Sequence, residues 1–201
     1  MRILVFGGTF NPVHNGHVAM CKAAQKAIAP DLTLIIPTYT PPHKSVADGL
    51  LSGEDRLNMC KLAFDGFKNT EVSDIEVAAE EKSYSFITFT KLHGIYPDAE
   101  FYMLCGADMF LTLKSWYKYD RLIKLTAFCT VPRKSSLSQL NEYAKEIEAD
   151  GGKCVIIDML PVDVSSTEIR KIISNNGSAD MLLPEKIADY IKTNRLFRRN
   201  K

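Results

Sequence analysis

Apolar residues along the chain take two alternating forms. Short unbroken apolar runs at 3–6, 32–36, 101–105, 128–131 and 154–157 are bounded by glycine, proline or polar residues, and read as buried strands. Residues 72–77 read as one more strand. Between them, apolar positions recur at helical spacing. Val18, Cys21, Ala24 and Ile28 share one face of a helix over 15–28. Leu57, Cys60, Leu62 and Phe64 mark a helix after Ser52, which can cap it with Asp55 three residues on. Further helices are predicted over 84–93, with Ser83 as cap and Gly94 past the end, and over 137–149, ending at Gly151-Gly152. Another covers 165–174, opened by the capping-box sequence Ser165-Ser166-Thr167-Glu168. The last runs to Asn194 with Pro184 at its first position.

Strand–helix–strand order in so little chain implies parallel strands, because the return crossover is a helix. The expected fold is α/β, a single doubly wound Rossmann-like parallel sheet flanked by helices. It occupies one domain over 1–201, with a small helical part from about residue 165. Residues 37–51, rich in Pro, Thr and Ser, read as a loop long enough to suspect function. Residues 198–201 read as a frayed basic tail.

Composition narrows the classes. In 201 residues the hydrophobic share is 46% and the formal net charge +1, so no global field recruits nucleic acid or a membrane surface. No apolar run approaches a membrane span, and Gly7-Gly8 interrupts the apolar start well short of a secretory leader. The cysteines (Cys21, Cys60, Cys105, Cys129 and Cys154) are odd in number and form no CxxC. They predict buried thiols in a reducing, cytoplasmic setting rather than disulfides or zinc.

Candidate chemistry begins where the first strand ends, at Gly7-Gly8-Thr9-Phe10-Asn11-Pro12-Val13-His14-Asn15-Gly16-His17. Glycines let the backbone approach a ligand, and the following helix N-terminus offers free N–H groups and partial positive charge to a phosphate. His14 and His17 flank that position if the helix starts near Asn15. A second candidate is Val164-Ser165-Ser166-Thr167-Glu168-Ile169-Arg170. Its Ser and Glu are explained by capping alone. Arg170, one turn inside the helix, is not.

The first segment resembles the HxGH signature of the nucleotidylyltransferase superfamily, and the second its ISSTxIR motif, with Val164 in the Ile position. Pro37 to Lys44, PTYTPPHK, resembles the loop after the second strand in bacterial nicotinate mononucleotide adenylyltransferases. So do Ser83-Tyr84-Ser85 (SYT in the family), Gly106-Ala107-Asp108 with Leu113 and Trp116-Tyr117 (GxDxxxxLxxW), and the C-terminal Leu183-Pro184-Glu185 to Leu196-Phe197. The resemblance covers essentially the whole chain. Two positions depart from it: Ile87, where the family has Asp, and Ile172, where a second Arg is frequent.

The resemblance implies transfer of AMP from ATP to nicotinate mononucleotide. His14, His17, Lys44 and Arg170 would act on the phosphates. Gly7, Gly8, Thr9, Phe10, Gly106, Asp108, Ser165, Ser166 and Thr167 would bind ATP. Ser85, Trp116, Tyr117 and Arg133 would hold the acceptor. Mg²⁺ is expected as cofactor, bound mainly through the ATP phosphates, with no protein metal site. The expected partners are these two substrates, with neither nucleic acid nor membrane, and a homo-oligomer is compatible with the sequence. Plain alternatives exist residue by residue: Asp108 fits a helix cap as well as a ribose ligand, and a lone Trp116 fits the core as well as a stacking platform. Backbone N–H groups near Ser85 and Tyr117, without an acidic neighbour, would prefer the nicotinate anion over the nicotinamide amide. The competing functions are an adenylyltransferase with another acceptor, nicotinamide mononucleotide or phosphopantetheine, and a non-catalytic nucleotide-binding regulatory module.

Overall fold

The first apolar run becomes the centre of the molecule. In the computed structural model, which describes residues 1–40, 49–132, 137–160 and 162–198, β1 (Arg2–Gly8) lies between β2 (Leu32–Pro37) and β4 (Glu100–Gly106), parallel to both. β3 (Thr70–Val72) flanks β2, and β5 (Ala127–Val131) and β6 (Cys154–Ile156) extend the other side. The order is β3-β2-β1-β4-β5-β6, all parallel, the doubly wound arrangement expected from the sequence.

Period-two alternation divides the core. Ile3 and Val5 face one side of the sheet with Leu34, Phe101, Met103 and Phe128. That side is covered by α3 (Ser85–Ile95) and α6 (Leu137–Ala149). Leu4 and Phe6 face the other side with Ile35, Leu104 and Cys129. Here α1 (Asn15–Ile28), α2 (Gly53–Ala63), α7 (Ser166–Ser174) and α8 (Glu185–Thr193) cover them. Two single-turn helices, α4 (Ala107–Phe110) and α5 (Tyr119–Leu122), follow β4. Cys21, Cys60, Cys105 and Cys129 are buried and free, and burial pushes the Cys21 thiol up to about 12, so it is protonated at neutral pH.

Several expected boundaries shift, and Gly94, expected past the end of its helix, lies inside α3, which runs on to Ile95. The strand expected over 72–77 ends at Val72, which pairs with Ile35. Ser73 and Asp74 then turn the chain, the Ser73 hydroxyl accepting from Ile75 N–H and the Asp74 carbonyl from Ala78 N–H. Ser83 does not cap α3. Tyr84 holds that position, and the Ser83 hydroxyl instead accepts the Tyr39 N–H at 2.9 Å. Pro184 is the N-cap of α8 rather than its first residue. Elsewhere the reading of α1 and α6 agrees with the structure to the residue.

The topology fixes where a ligand can sit. From β1 the chain crosses to β2 on one side of the sheet, whereas from β4 it crosses to β5 on the other. The connections at the carboxyl ends of β1 and β4 therefore diverge and open a crevice there.

Candidate active site

That crevice is a cleft of about 700 Å³. Every described residue assigned to a site from the sequence lines it. Gly7, Gly8, Thr9 and Phe10 come from the end of β1, and His14 and His17 from the start of α1. Gly106 and Asp108 come from the end of β4, with Trp116 and Tyr117 beyond, and Ser85 from the first turn of α3. Ser165, Ser166, Thr167 and Arg170 come from α7 and its cap. Lys44 and Arg133 lie outside the described residues.

His14 is itself the N-cap of α1. Its Nδ1 accepts the His17 N–H at 3.4 Å, and His17 Nδ1 accepts the His14 N–H at 3.3 Å, a capping box built from two imidazoles. The rings stack with centroids 3.7 Å apart. With both Nδ1 atoms accepting, the ring protons sit on Nε2, the edge suited to donate to an anion. Gly16 is required by close approach. A Cβ there would lie 2.9 Å from Val164 Cγ1 and 3.1 Å from the His14 ring. Phe10 has φ +47°, a left-handed backbone that strains a large residue. Its ring is buried edge-on against Phe6 and His17, so the packing that holds the strained turn also seats the histidine.

Across the cleft, the Ser165 hydroxyl caps α7 by accepting the Glu168 N–H at 3.2 Å. The Ser166 hydroxyl donates to the Pro12 carbonyl at 3.0 Å and Arg170 Nη1 to the Asn11 carbonyl at 2.9 Å. The two helix N-termini are thus tied together through the Asn11-Pro12 turn. Burial lowers the Arg170 pKa, but a guanidinium stays charged at neutral pH. Asp108 makes no side-chain cap for α4. It is exposed in the first turn and faces the cleft.

Arg56, which sequence reasoning missed, is 1% exposed. Its guanidinium donates to the carbonyls of Leu51, Thr9 and Tyr39 at 3.2, 3.2 and 3.1 Å, and to that of Thr38. Burying an ion costs several kcal/mol, and hydrogen bonds to a charged group return about 1.5–3 kcal/mol each, so this cation depends on all its carbonyls. The signal was present: Arg56 occupies the apolar face of α2 with Met59, Cys60 and Ala63, at helical spacing. A cation at a core position calls for a partner.

The other end of the cleft is aromatic. Tyr84 and Tyr117 rings lie 4.8 Å apart, Phe86 packs edge-on against Tyr117 at 6.2 Å, and Trp116 Nε1 donates to Thr112 Oγ1 at 3.1 Å. An acidic neighbour is present here, contrary to the sequence reading. Glu76 lines the same cleft, and its Oε1 accepts from Thr88 Oγ1 at 2.6 Å. Burial pushes its carboxyl above the ordinary Glu value of 4.5, while the Thr88 and Ser83 hydroxyls pull the other way. The net shift is upward. Ile87, where the family has Asp, lines a small cavity that Glu76 also lines. Ile172 packs against the apolar core instead of reaching the phosphate side. His93 lies outside the cleft, its Nε2 donating to the Leu125 carbonyl at 2.9 Å.

Residues 5–172 match the family described as cytidylyltransferase-like. The chain belongs to the cytidylyltransferase-like family. Over 98% of its length it is 33% identical to a Shewanella pealeana protein named "Probable nicotinate-nucleotide adenylyltransferase", 96% of which is covered. A Listeria monocytogenes protein of the same name is 35% identical over 98% of the chain and 97% of its own length. These relatives put it in the nicotinate-nucleotide adenylyltransferase branch of the family. Among solved structures, Plasmodium falciparum nicotinic acid mononucleotide adenylyltransferase complexed with APC superposes with a TM-score of 0.77 at 18% identity. That match covers 98% of this chain and 96% of the other. The same enzyme complexed with NaAD gives the same score. The likeness in three dimensions extends the fold over the full chain. Among the described residues, no helix is long and apolar enough to cross a membrane.

Proposed function

We propose that this protein transfers the AMP moiety of ATP to nicotinate mononucleotide, forming nicotinate adenine dinucleotide and pyrophosphate, the dinucleotide precursor of NAD. The observation that carries this is the facing pair of helix N-termini, α1 with its stacked histidines and α7 with Arg170, across one cleft with an aromatic far end. The names of its full-length relatives supply the acceptor.

Two polyanions must meet in this reaction, and more negative charge then gathers on the bridging and leaving oxygens. The phosphate of the acceptor attacks the α-phosphorus of ATP in line with departing pyrophosphate. Its second pKa is about 6, so it is already ionised at neutral pH and needs no general base. The O–P bond to the acceptor forms as the bond to pyrophosphate breaks, without a covalent enzyme intermediate. The protein's work is positioning and electrostatic stabilisation. His14 and His17 donate from Nε2 to the α- and β-phosphates, where transition-state charge grows. Arg170 and the N-terminus of α7, with Lys44, hold the β- and γ-phosphates. Gly106 and Asp108 meet the adenosine. Trp116, Tyr117 and the first turn of α3 at Ser85, with Arg133, take the acceptor. Mg²⁺, expected to accompany ATP, would offset the charge of its phosphates. Among the described residues no group of three or more His, Cys, Asp or Glu is placed to cage it.

The test is pyrophosphate release from ATP and Mg²⁺ with nicotinate or nicotinamide mononucleotide offered in parallel, and His17→Ala as control. Release with the nicotinate acceptor, lost in the variant, is expected. Equal rates with both acceptors would leave the reaction standing and overturn the acceptor preference. Silence with both, despite ATP binding, would point to phosphopantetheine or another acceptor, or to a regulatory module.

A further inference from the structure

We propose that Arg56 is a positioning residue for the transfer, fixing from inside the fold the spacing between the turn that receives the triphosphate and the wall that receives the acceptor. This rests on the two-substrate reading above.

The argument is the identity of its acceptors. Thr9 belongs to the turn after β1, on the phosphate side. Thr38 and Tyr39 follow β2: the Thr38 N–H donates to the Gly8 carbonyl at 2.9 Å, whereas Tyr39 and its neighbour Thr40 contact the acceptor side. Tyr39 N–H donates to Ser83 Oγ at 2.9 Å, and the Thr40 carbonyl accepts the Ser83 N–H at 3.0 Å, immediately before α3. Leu51 lies where the chain enters α2, and its N–H donates at 3.2 Å to the side chain of Asn11, whose carbonyl holds Arg170. One planar guanidinium therefore joins both substrate walls through main-chain carbonyls. Among the described residues no carboxylate pairs with it. Arg56 does not line the cleft, so it acts through these walls and not by touching substrate. A lysine at this position has one nitrogen and cannot span the same acceptors in one plane.

In-line transfer is sensitive to such spacing. A misplacement of about 1 Å far from the chemistry can lower the rate on the order of 10²-fold. A positioning role therefore predicts a split. In Arg56→Lys, kcat for pyrophosphate release at saturating acceptor falls on the order of 10²-fold. The Kd for ATP alone, followed by Trp116 fluorescence or calorimetry, stays within about threefold, because the phosphate ligands themselves remain.

The experiment compares wild type, Arg56→Lys and Ser83→Ala, each with a thermal melt to establish folding at the assay temperature. Ser83→Ala removes the hydroxyl that holds the Tyr39 N–H, leaving the Ser83 N–H bond to the Thr40 carbonyl and the buried cation in place, and is the second variant if Arg56→Lys does not fold. It too is expected to lose kcat while keeping ATP affinity. A folded variant that keeps kcat within twofold overturns the proposal. So does a loss confined to ATP affinity, which would make Arg56 a distant contributor to nucleotide binding. A wild type silent with ATP and nicotinate mononucleotide overturns the two-substrate reading itself, whereas an active wild type with indifferent variants overturns only the role of Arg56.

Discussion

His14 and His17 cap one another, each Nδ1 accepting the other's backbone N–H, at 3.4 and 3.3 Å. One nitrogen of each ring is thereby committed to starting α1, and the other is left to carry the proton. The two duties are separable by substitution. Asparagine puts an oxygen near the Nδ1 position and is a favoured N-cap, whereas alanine offers nothing. His14→Asn should melt close to wild type and His14→Ala should lose about 1 kcal/mol of stability. Both should lose turnover on the order of 10²-fold, because neither can donate from Nε2. If Asn restores turnover along with stability, the histidine serves only as a cap.

Gly16 offers a sharper test of the same corner. Alanine there would force its Cβ to 2.9 Å from Val164 Cγ1 and 3.1 Å from His14, both in buried surroundings. Overpacking of this kind costs about 1–3 kcal/mol, exceeding the gain from removing a helical glycine. Gly94, exposed within α3, meets nothing within 4 Å, so Gly94→Ala should instead stabilise by about 0.5–1 kcal/mol. Denaturant melts of the two variants should move in opposite directions, and only Gly16→Ala should lose activity.

Glu76 makes stability depend on pH in a stated direction. Burial raises its folded pKa above the ordinary value of 4.5. As pH rises past the unfolded value, the unfolded chain ionises while the folded carboxyl stays neutral, and the native state loses ground until the folded pKa is reached. Glu76→Gln, neutral throughout and able to keep the Thr88 contact, removes this loss. Its melting temperature should match wild type below the ordinary Glu value of 4.5 and exceed it above, by a margin that grows until the raised folded pKa is passed and stays constant beyond it. A variant equally or less stable at pH 8 would mean that the Thr88 bond holds an anion well enough to offset burial.

The strands and most helices were legible because their apolar patterns are local and one-sided in meaning. Ile3 to Phe6 is short and bounded by Gly7-Gly8, which favours a buried strand, and Val18, Cys21, Ala24 and Ile28 share a face in any helix. What failed depended on distant partners. Ser83 looks like a cap until the Tyr39 N–H arrives from β2. Val72 looks like the start of a strand until the register places it at the end, opposite Ile35. Glu76, counted within that strand, could not be placed in the cleft. Arg56 was passed over because only assembly brings Thr9, Thr38, Tyr39 and Leu51 around it, although its place among Met59, Cys60 and Ala63 was visible. The candidate site was legible to the extent that it lies in two contiguous segments, each at a helix N-terminus.

Gly106 separates what the fold needs from what a ligand needs. Its backbone, φ −68° and ψ 155°, is open to any residue, and a Cβ built on it meets nothing within 4 Å. Protein packing therefore gives no reason for glycine at the end of β4. The residue nevertheless lines the cleft, opposite Val131 in the sheet register and beside the turn to Asp108. Gly106→Ala should leave stability unchanged or raise it by up to about 1 kcal/mol, since the unfolded chain loses freedom and the native chain loses nothing. If adenosine lies against this strand end, the added methyl should raise the KM for ATP about tenfold, leaving the acceptor KM and the melting temperature nearly unmoved. Should the acceptor KM rise in place of that for ATP, the two substrates occupy the cleft in the reverse sense. An unchanged pair of values would put the nucleotide elsewhere along the sheet edge, nearer Gly7 and Gly8.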